Sequence, residues 1–167
     1  MRHFGRLLVA AIGALSLAAV GSATVLANDE HRILEFDSMT PVTGAAVGTV
    51  NDRGIKGGGL PWVIGSGSGS VTRGGHVQAS VSGLVIPALG NINPITGFKA
   101  IVSCFTQQHA IVNVSTAVFP ADGGGNSTID DTVALPRPCV HPIVFVTSPG
   151  GSWFAMSNRN DDEEDDD

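Results

Sequence analysis

Hydrophobic and polar positions alternate along most of this chain with the period of β-strands, and helical periodicity is confined to its first segment. Residues 33–37 alternate loosely and predict a first strand, and residues 45–50 predict a second. Met39 to Gly44 and Asn51-Asp52-Arg53-Gly54 carry turn residues. The clearest hairpin joins Ser70-Val71-Thr72 to His76-Val77-Gln78 through Arg73-Gly74-Gly75, where glycine supplies positive φ. Beyond it Val77, Ala79, Val81 and Val85 share one face, with Gln78, Ser80 and Ser82 on the other; Gly83 interrupts them as an expected bulge.

Residues 98–106 predict a strand with Ala100, Val102 and Cys104 on one face. After a short connection at Gln107-Gln108-His109, residues 111–119 return with Val112, Val114, Thr116 and Val118 on one face. So short a link between two apolar runs implies antiparallel pairing. Residues 128–135 form a further strand broken by Asp130-Asp131. Ile143 to Thr147 is almost continuously apolar, as in a central strand covered on both faces. Ser148-Pro149-Gly150-Gly151 then turns the chain into a last strand at residues 153–156. About nine short strands at this spacing predict an all-β, antiparallel β-sandwich of jelly-roll or Ig-like kind.

Residues 54–70 complicate that picture with Gly57-Gly58-Gly59 and Gly65-Ser66-Gly67-Ser68-Gly69-Ser70 around Leu60-Pro61-Trp62-Val63-Ile64. A flexible interdomain linker has this composition. Too little chain precedes it to make a domain, so loops around a short strand at 62–64 are the better reading. Small residues on one strand face also admit a close neighbouring backbone.

The first segment changes the context. Met1 to Arg6 is basic, Leu7 to Leu26 carries no charge, and Val25-Leu26-Ala27 places small or apolar residues where signal peptidase reads. This predicts a signal helix at 1–27, cleaved after Ala27, and an exported chain with no membrane span after cleavage. An uncleaved anchor is the competing reading. The expected divisions are a signal peptide at 1–27, one β-sandwich at 28–159, and a disordered acidic tail at 160–167.

Losing Arg2 and Arg6 with the signal moves the formal charge from −6 to −8. Residues 161–167 are all Asp or Glu. The acidity therefore belongs to the tail and the body is near neutral, which argues against a nucleic-acid partner. The tail reads as a solvated end, with weak Ca²⁺ capture as the sharper alternative.

Cys104 and Cys139 are the only two cysteines, and in an oxidising compartment they have one possible internal pairing. A disulfide is expected, closing a loop over residues 105–138 and tying two core strands together. Free or intermolecular thiols are the alternative.

Few other residues carry recognisable chemistry. His31, His76, His109 and His141 are scattered singly, and Cys139 beside His141 is taken by the disulfide, so no metal or other cofactor is expected. No Gly-x-Ser-x-Gly elbow and no P-loop occurs in the Gly/Ser stretch. Asp130 and Asp131, as strand neighbours, point to opposite faces and make a poor acid/base pair. Asn113-Val114-Ser115 and Asn126-Ser127-Thr128 match the N-glycosylation pattern.

Residues 60–156 combine the runs Trp62-Val63-Ile64, Val81-Ser82-Gly83-Leu84-Val85, Val102-Ser103-Cys104, Leu135-Pro136-Arg137-Pro138-Cys139 and Pro142 to Ala155. The chain resembles a group of small secreted bacterial proteins of unknown function. The resemblance implies export, a single domain and a bacterial source, and it assigns no site residue.

The leading functional expectation is a non-enzymatic exported β-domain that binds an extracellular or envelope ligand or serves a structural role there. Its loops at 87–97 and 120–127 are the natural contact surfaces. The alternative is an extracellular hydrolase whose site is assembled from His76, His109 or His141 with Asp130 or Asp131. A third reading is assembly into a surface layer through edge strands.

Overall fold

The computed structural model describes residues 31–158. The expected signal helix and acidic tail lie outside these residues. Among the described residues ten strands form two antiparallel sheets. Four strands make one sheet in the order β1 (Arg32–Phe36), β3 (Ser66–Thr72), β4 (His76–Ser82), β8 (Ser127–Thr132). The other sheet runs β2 (Met39–Pro41), β10 (Trp153–Ser157), β9 (Val140–Thr147), β5 (Gly97–Phe105), β6 (Ile111–Ser115). The short β7 (Phe119–Pro120) pairs with the beginning of β5. The sheets stack as the β-sandwich that the alternation predicts.

The facing surfaces follow the period of two. Val71 pairs with Val77, and Val77, Ala79 and Val81 point inward from β4. Ala100, Val102 and Cys104 of β5 are fully buried opposite them, as are Val144 and Val146 of β9. Trp62 stacks on Phe154 with ring centroids 4.0 Å apart, and both meet Phe98 edge-on. Among the described residues the buried apolar side chains other than Val85 join in one cluster. β9 lies between β5 and β10, so its continuous apolar run is a covered central strand, as expected.

The structure corrects four local expectations. Residues 45–50 are not a strand. A 3-10 turn at Gly44–Ala46 and positive φ at Gly44 and Gly48 fold them into turns. Met39–Pro41, expected as a turn, is instead an edge strand against β10; Pro ends it, where no further ladder donor is needed. The Ser66-Gly67-Ser68-Gly69 run is strand and not loop. Its serines face solvent and its glycines face inward, where a Cβ on Gly67 would crowd Met39 at 2.6 Å. Trp62–Ile64 is reduced to a single bridge, Val63 with Val85.

Three strands also end early. β8, expected to run to residue 135 with a break at Asp130-Asp131, is unbroken there and stops at Thr132. Gly83 adopts φ +65 and closes β4 instead of forming a bulge within it. The Thr116 hydroxyl accepts from the Ala100 amide and donates to the Ala117 carbonyl, so β6 stops at Ser115 and Val118 is left exposed.

Residues 43–58, between β2 and β3, cross the outer face of the larger sheet, the side turned away from the smaller one. The Trp153 amide donates to the Lys56 carbonyl, and the Gly58 amide to the Trp153 carbonyl. Ile55 is buried there, and Phe145 and Trp153 meet edge-on with ring centroids 5.9 Å apart.

Candidate functional site

The Asn51-Asp52-Arg53-Gly54 turn is built by one side chain. The Asn51 side-chain oxygen accepts from the amides of Arg53 and Ile55. The Gly54 amide closes on the Asn51 carbonyl, and Val50 bridges to Lys56. This is an Asx turn, the local bonding for which asparagine is favoured in turns. The Asn113 side-chain amide on β6 clamps the turn by donating to the Arg53 carbonyl at 2.8 Å.

So held, Arg53 lies against the sheet and is only 5% exposed. Its guanidinium carbon is 4.0 Å from the centroid of the Phe105 ring. One terminal nitrogen donates to the Ser103 carbonyl at 3.3 Å and to the Ser103 hydroxyl at 3.4 Å. The other donates to the His141 carbonyl at 3.1 Å. Among the described residues no ion pair includes Arg53. Burial lowers the guanidinium pKa from its ordinary value, and the charge of Asp52 opposes that shift. A guanidinium has five N–H donors, so these contacts to oxygen do not exhaust it.

His141 is placed by an irregularity in β9. The β5–β9 register slips between the Ser103–Ile143 and Phe105–Val140 pairs, and His141 sits in the slip with φ +47. Bulges recur beside binding sites because they re-aim a group out of the ladder. Here the re-aimed carbonyl receives Arg53.

A cleft of about 340 Å³ opens at this end of the sandwich. Leu34, Phe105, Pro142 and Ile143 supply apolar walls; Arg53, His141 and Ser157 supply polar ones. The Ser157 hydroxyl oxygen accepts the Val144 amide at 3.0 Å. The expected disulfide is present between Cys104 and Cys139, with Cα atoms 5.0 Å apart. Cys104 adjoins Phe105, and Cys139 stands two residues before His141. The bond therefore pins together the strand ends that carry two walls of the cleft.

The remaining candidates lie elsewhere. His76 Nε2 is 2.9 Å from Asp130 Oδ1, and the Gln78 side-chain amide donates to Asp130 Oδ2 at 3.1 Å. This pair stands on the solvent face of the smaller sheet, the opposite side of the sandwich from Arg53. The hydrogen bond from His76, then that from Gln78, holds the Asp130 carboxyl below the usual carboxylate range. Asp131 points the other way and accepts the Ala117 amide at 2.8 Å. His109 is exposed in the β5–β6 turn with φ +60, and His31 is exposed before β1. The structure thus joins His76 to Asp130.

The loops at 87–97 and 120–127 are tied to each other. Buried Asn93 donates to the carbonyls of Ile95 and Asp122, and its amide donates to the Gly123 carbonyl. Both glycosylation-pattern asparagines have committed side-chain amides, Asn113 to Arg53 and Asn126 to Asp122. Among the described residues no group of three His, Cys, Asp or Glu could hold a metal ion, and no helix is long and apolar enough to cross a membrane.

Arg53 was not a sequence candidate. A lone arginine in a turn ordinarily reads as solvated, and only the path of residues 43–58 over the sheet buries it. No known family, curated protein or solved structure was found to match the chain.

Proposed function

We propose that this protein is an exported, non-catalytic β-sandwich, bacterial in source, that binds an extracellular or envelope ligand in the cleft beside Arg53. The observation that carries the reading is Arg53 itself. Placing a charge at 5% exposure is costly unless it is paired. Here it is met by carbonyls, a hydroxyl and a ring, on the wall of an open cleft. Apolar walls with a few converging polar groups are the make-up of small-ligand sites, and this cleft sets four apolar residues beside three polar ones. The signal-like first segment and the disulfide support export.

Two measurements test this. N-terminal sequencing of the secreted product should begin at Asn28. Amide chemical shifts of the protein, followed while soluble envelope fragments are added, should move at Phe105, His141 and Ile143. Shifts confined to other surfaces would overturn the assignment of the cleft.

The 2.9 Å contact between His76 and Asp130 favours a second reading, hydrolysis at that pair. Turnover of an ester or peptide panel that His76→Ala and Asp130→Asn both abolish would replace the binding reading.

A further inference from the structure

We infer that the cleft takes an amphipathic monocarboxylate, its carboxylate received by Arg53 and its apolar body lying on Leu34, Phe105, Pro142 and Ile143. This rests on the reading that the cleft is a binding site, and it names the chemistry of the ligand.

Three observations lead to it. The first is charge. Arg53 brings one positive charge to the wall, no ion pair among the described residues neutralises it, and one carboxylate matches it. A phosphate brings closer to two negative charges, and Asp52 already sets a negative charge near the guanidinium. The second is donor geometry. The two contacts to Ser103, at 3.3 and 3.4 Å, are long for N–H···O bonds. The guanidinium fork keeps further N–H groups, and planar carboxylates are the acceptors such a fork suits. The Phe105 ring lies against the guanidinium, 4.0 Å from its carbon to the ring centroid.

The third is shape. The volume, about 340 Å³, falls at the low end of the roughly 300–1,000 Å³ typical of small-molecule sites. Four of the seven lining residues are apolar, so the ligand needs an apolar body behind its charged end. A free sugar has neither the charge nor the apolar body, and a polyanion lacks the apolar body.

The test uses the oxidised protein and three probes: octanoate, the matching neutral octanamide, and inorganic phosphate. Titrations are read from the amide shifts of Phe105, His141 and Ile143. Octanoate should saturate these shifts at least tenfold more tightly than octanamide, and phosphate should leave them unmoved. Arg53→Lys, which keeps the charge and loses the fork, should weaken octanoate severalfold and octanamide by less. If Arg53→Lys fails to fold, the acid–amide comparison in the unaltered protein decides the matter alone. Equal affinity for acid and amide in the cleft would overturn the carboxylate inference and leave the binding reading standing, as would phosphate binding tighter than octanoate. No shift at the cleft with octanoate would likewise overturn the carboxylate inference, while the binding reading stands or falls by the envelope-fragment titration.

Discussion

The guanidinium of Arg53 and the ring of Phe105 are stacked at 4.0 Å, joining a surface turn to the end of a core strand. A cation held over an aromatic face away from water contributes about 0.5–2 kcal/mol. Phe105→Leu keeps an apolar side chain and removes the face. It should destabilise the protein by about 1–2 kcal/mol in urea unfolding. Combined with Arg53→Met in a double-mutant cycle, it should show a coupling of at least about 0.5 kcal/mol. Strict additivity would mean that the stacking is incidental.

The Cys104–Cys139 bond closes a loop across a sequence separation of 35. The chain-entropy description assigns such a loop about 3–4 kcal/mol, because the crosslink restricts the unfolded chain. Replacing both cysteines by alanine should lower the denaturant midpoint accordingly. Because Phe105 and His141 flank the bond, their amide shifts should also change more than those of the β3–β4 hairpin. Two reactive thiols in the denatured, unreduced protein would contradict the bond itself.

Gly69 tests how the smaller sheet accommodates its neighbours. A Cβ there would run into the Gln78 carbonyl and meet Phe36 Cζ at 2.7 Å. Both obstacles are embedded, one in the β3–β4 ladder and one in the core. Gly69→Ala should therefore cost about 1–3 kcal/mol through overpacking. Gly123→Ala, with nothing within 4 Å of the added carbon, should fall within about 0.5 kcal/mol of the parent. Thermal unfolding of the two variants side by side checks the contrast.

The faces of β4 and β5 were legible in the sequence because Val77, Ala79, Val81 and Ala100, Val102, Cys104 alternate strictly and their strands are long. The disulfide was legible because two cysteines have one pairing. β2 was hidden, since Met39-Thr40-Pro41 resembles a turn locally and becomes a strand only by pairing with β10 at the far end of the chain. The glycines of β3 likewise hid a strand, because their small size is explained by Phe36 and Met39 packing against them. Arg53 was the least legible of all. The turn chemistry around it is plain in the sequence, yet its burial depends on Ser103, Asn113 and His141, which distant segments bring to it.

The Asp130 carboxyl offers a prediction about pH. It is held below the usual carboxylate range, most by the hydrogen bond from His76 and then by that from Gln78. A carboxyl depressed in the folded state stabilises the fold above its unfolded pKa, near 3.9. That contribution is lost as pH falls through the lower, folded value. Its effect therefore belongs to the acid side of about pH 4, and it should shrink in high salt because the group is exposed. In His76→Ala the Asp130 carboxyl should titrate at higher pH than in the parent, and in Gln78→Ala it should move less. Carboxyl ¹³C shifts followed from pH 6 downward read this directly. An unchanged Asp130 titration in His76→Ala would show that the 2.9 Å contact carries no energy in solution, and would remove the main support for chemistry at that pair.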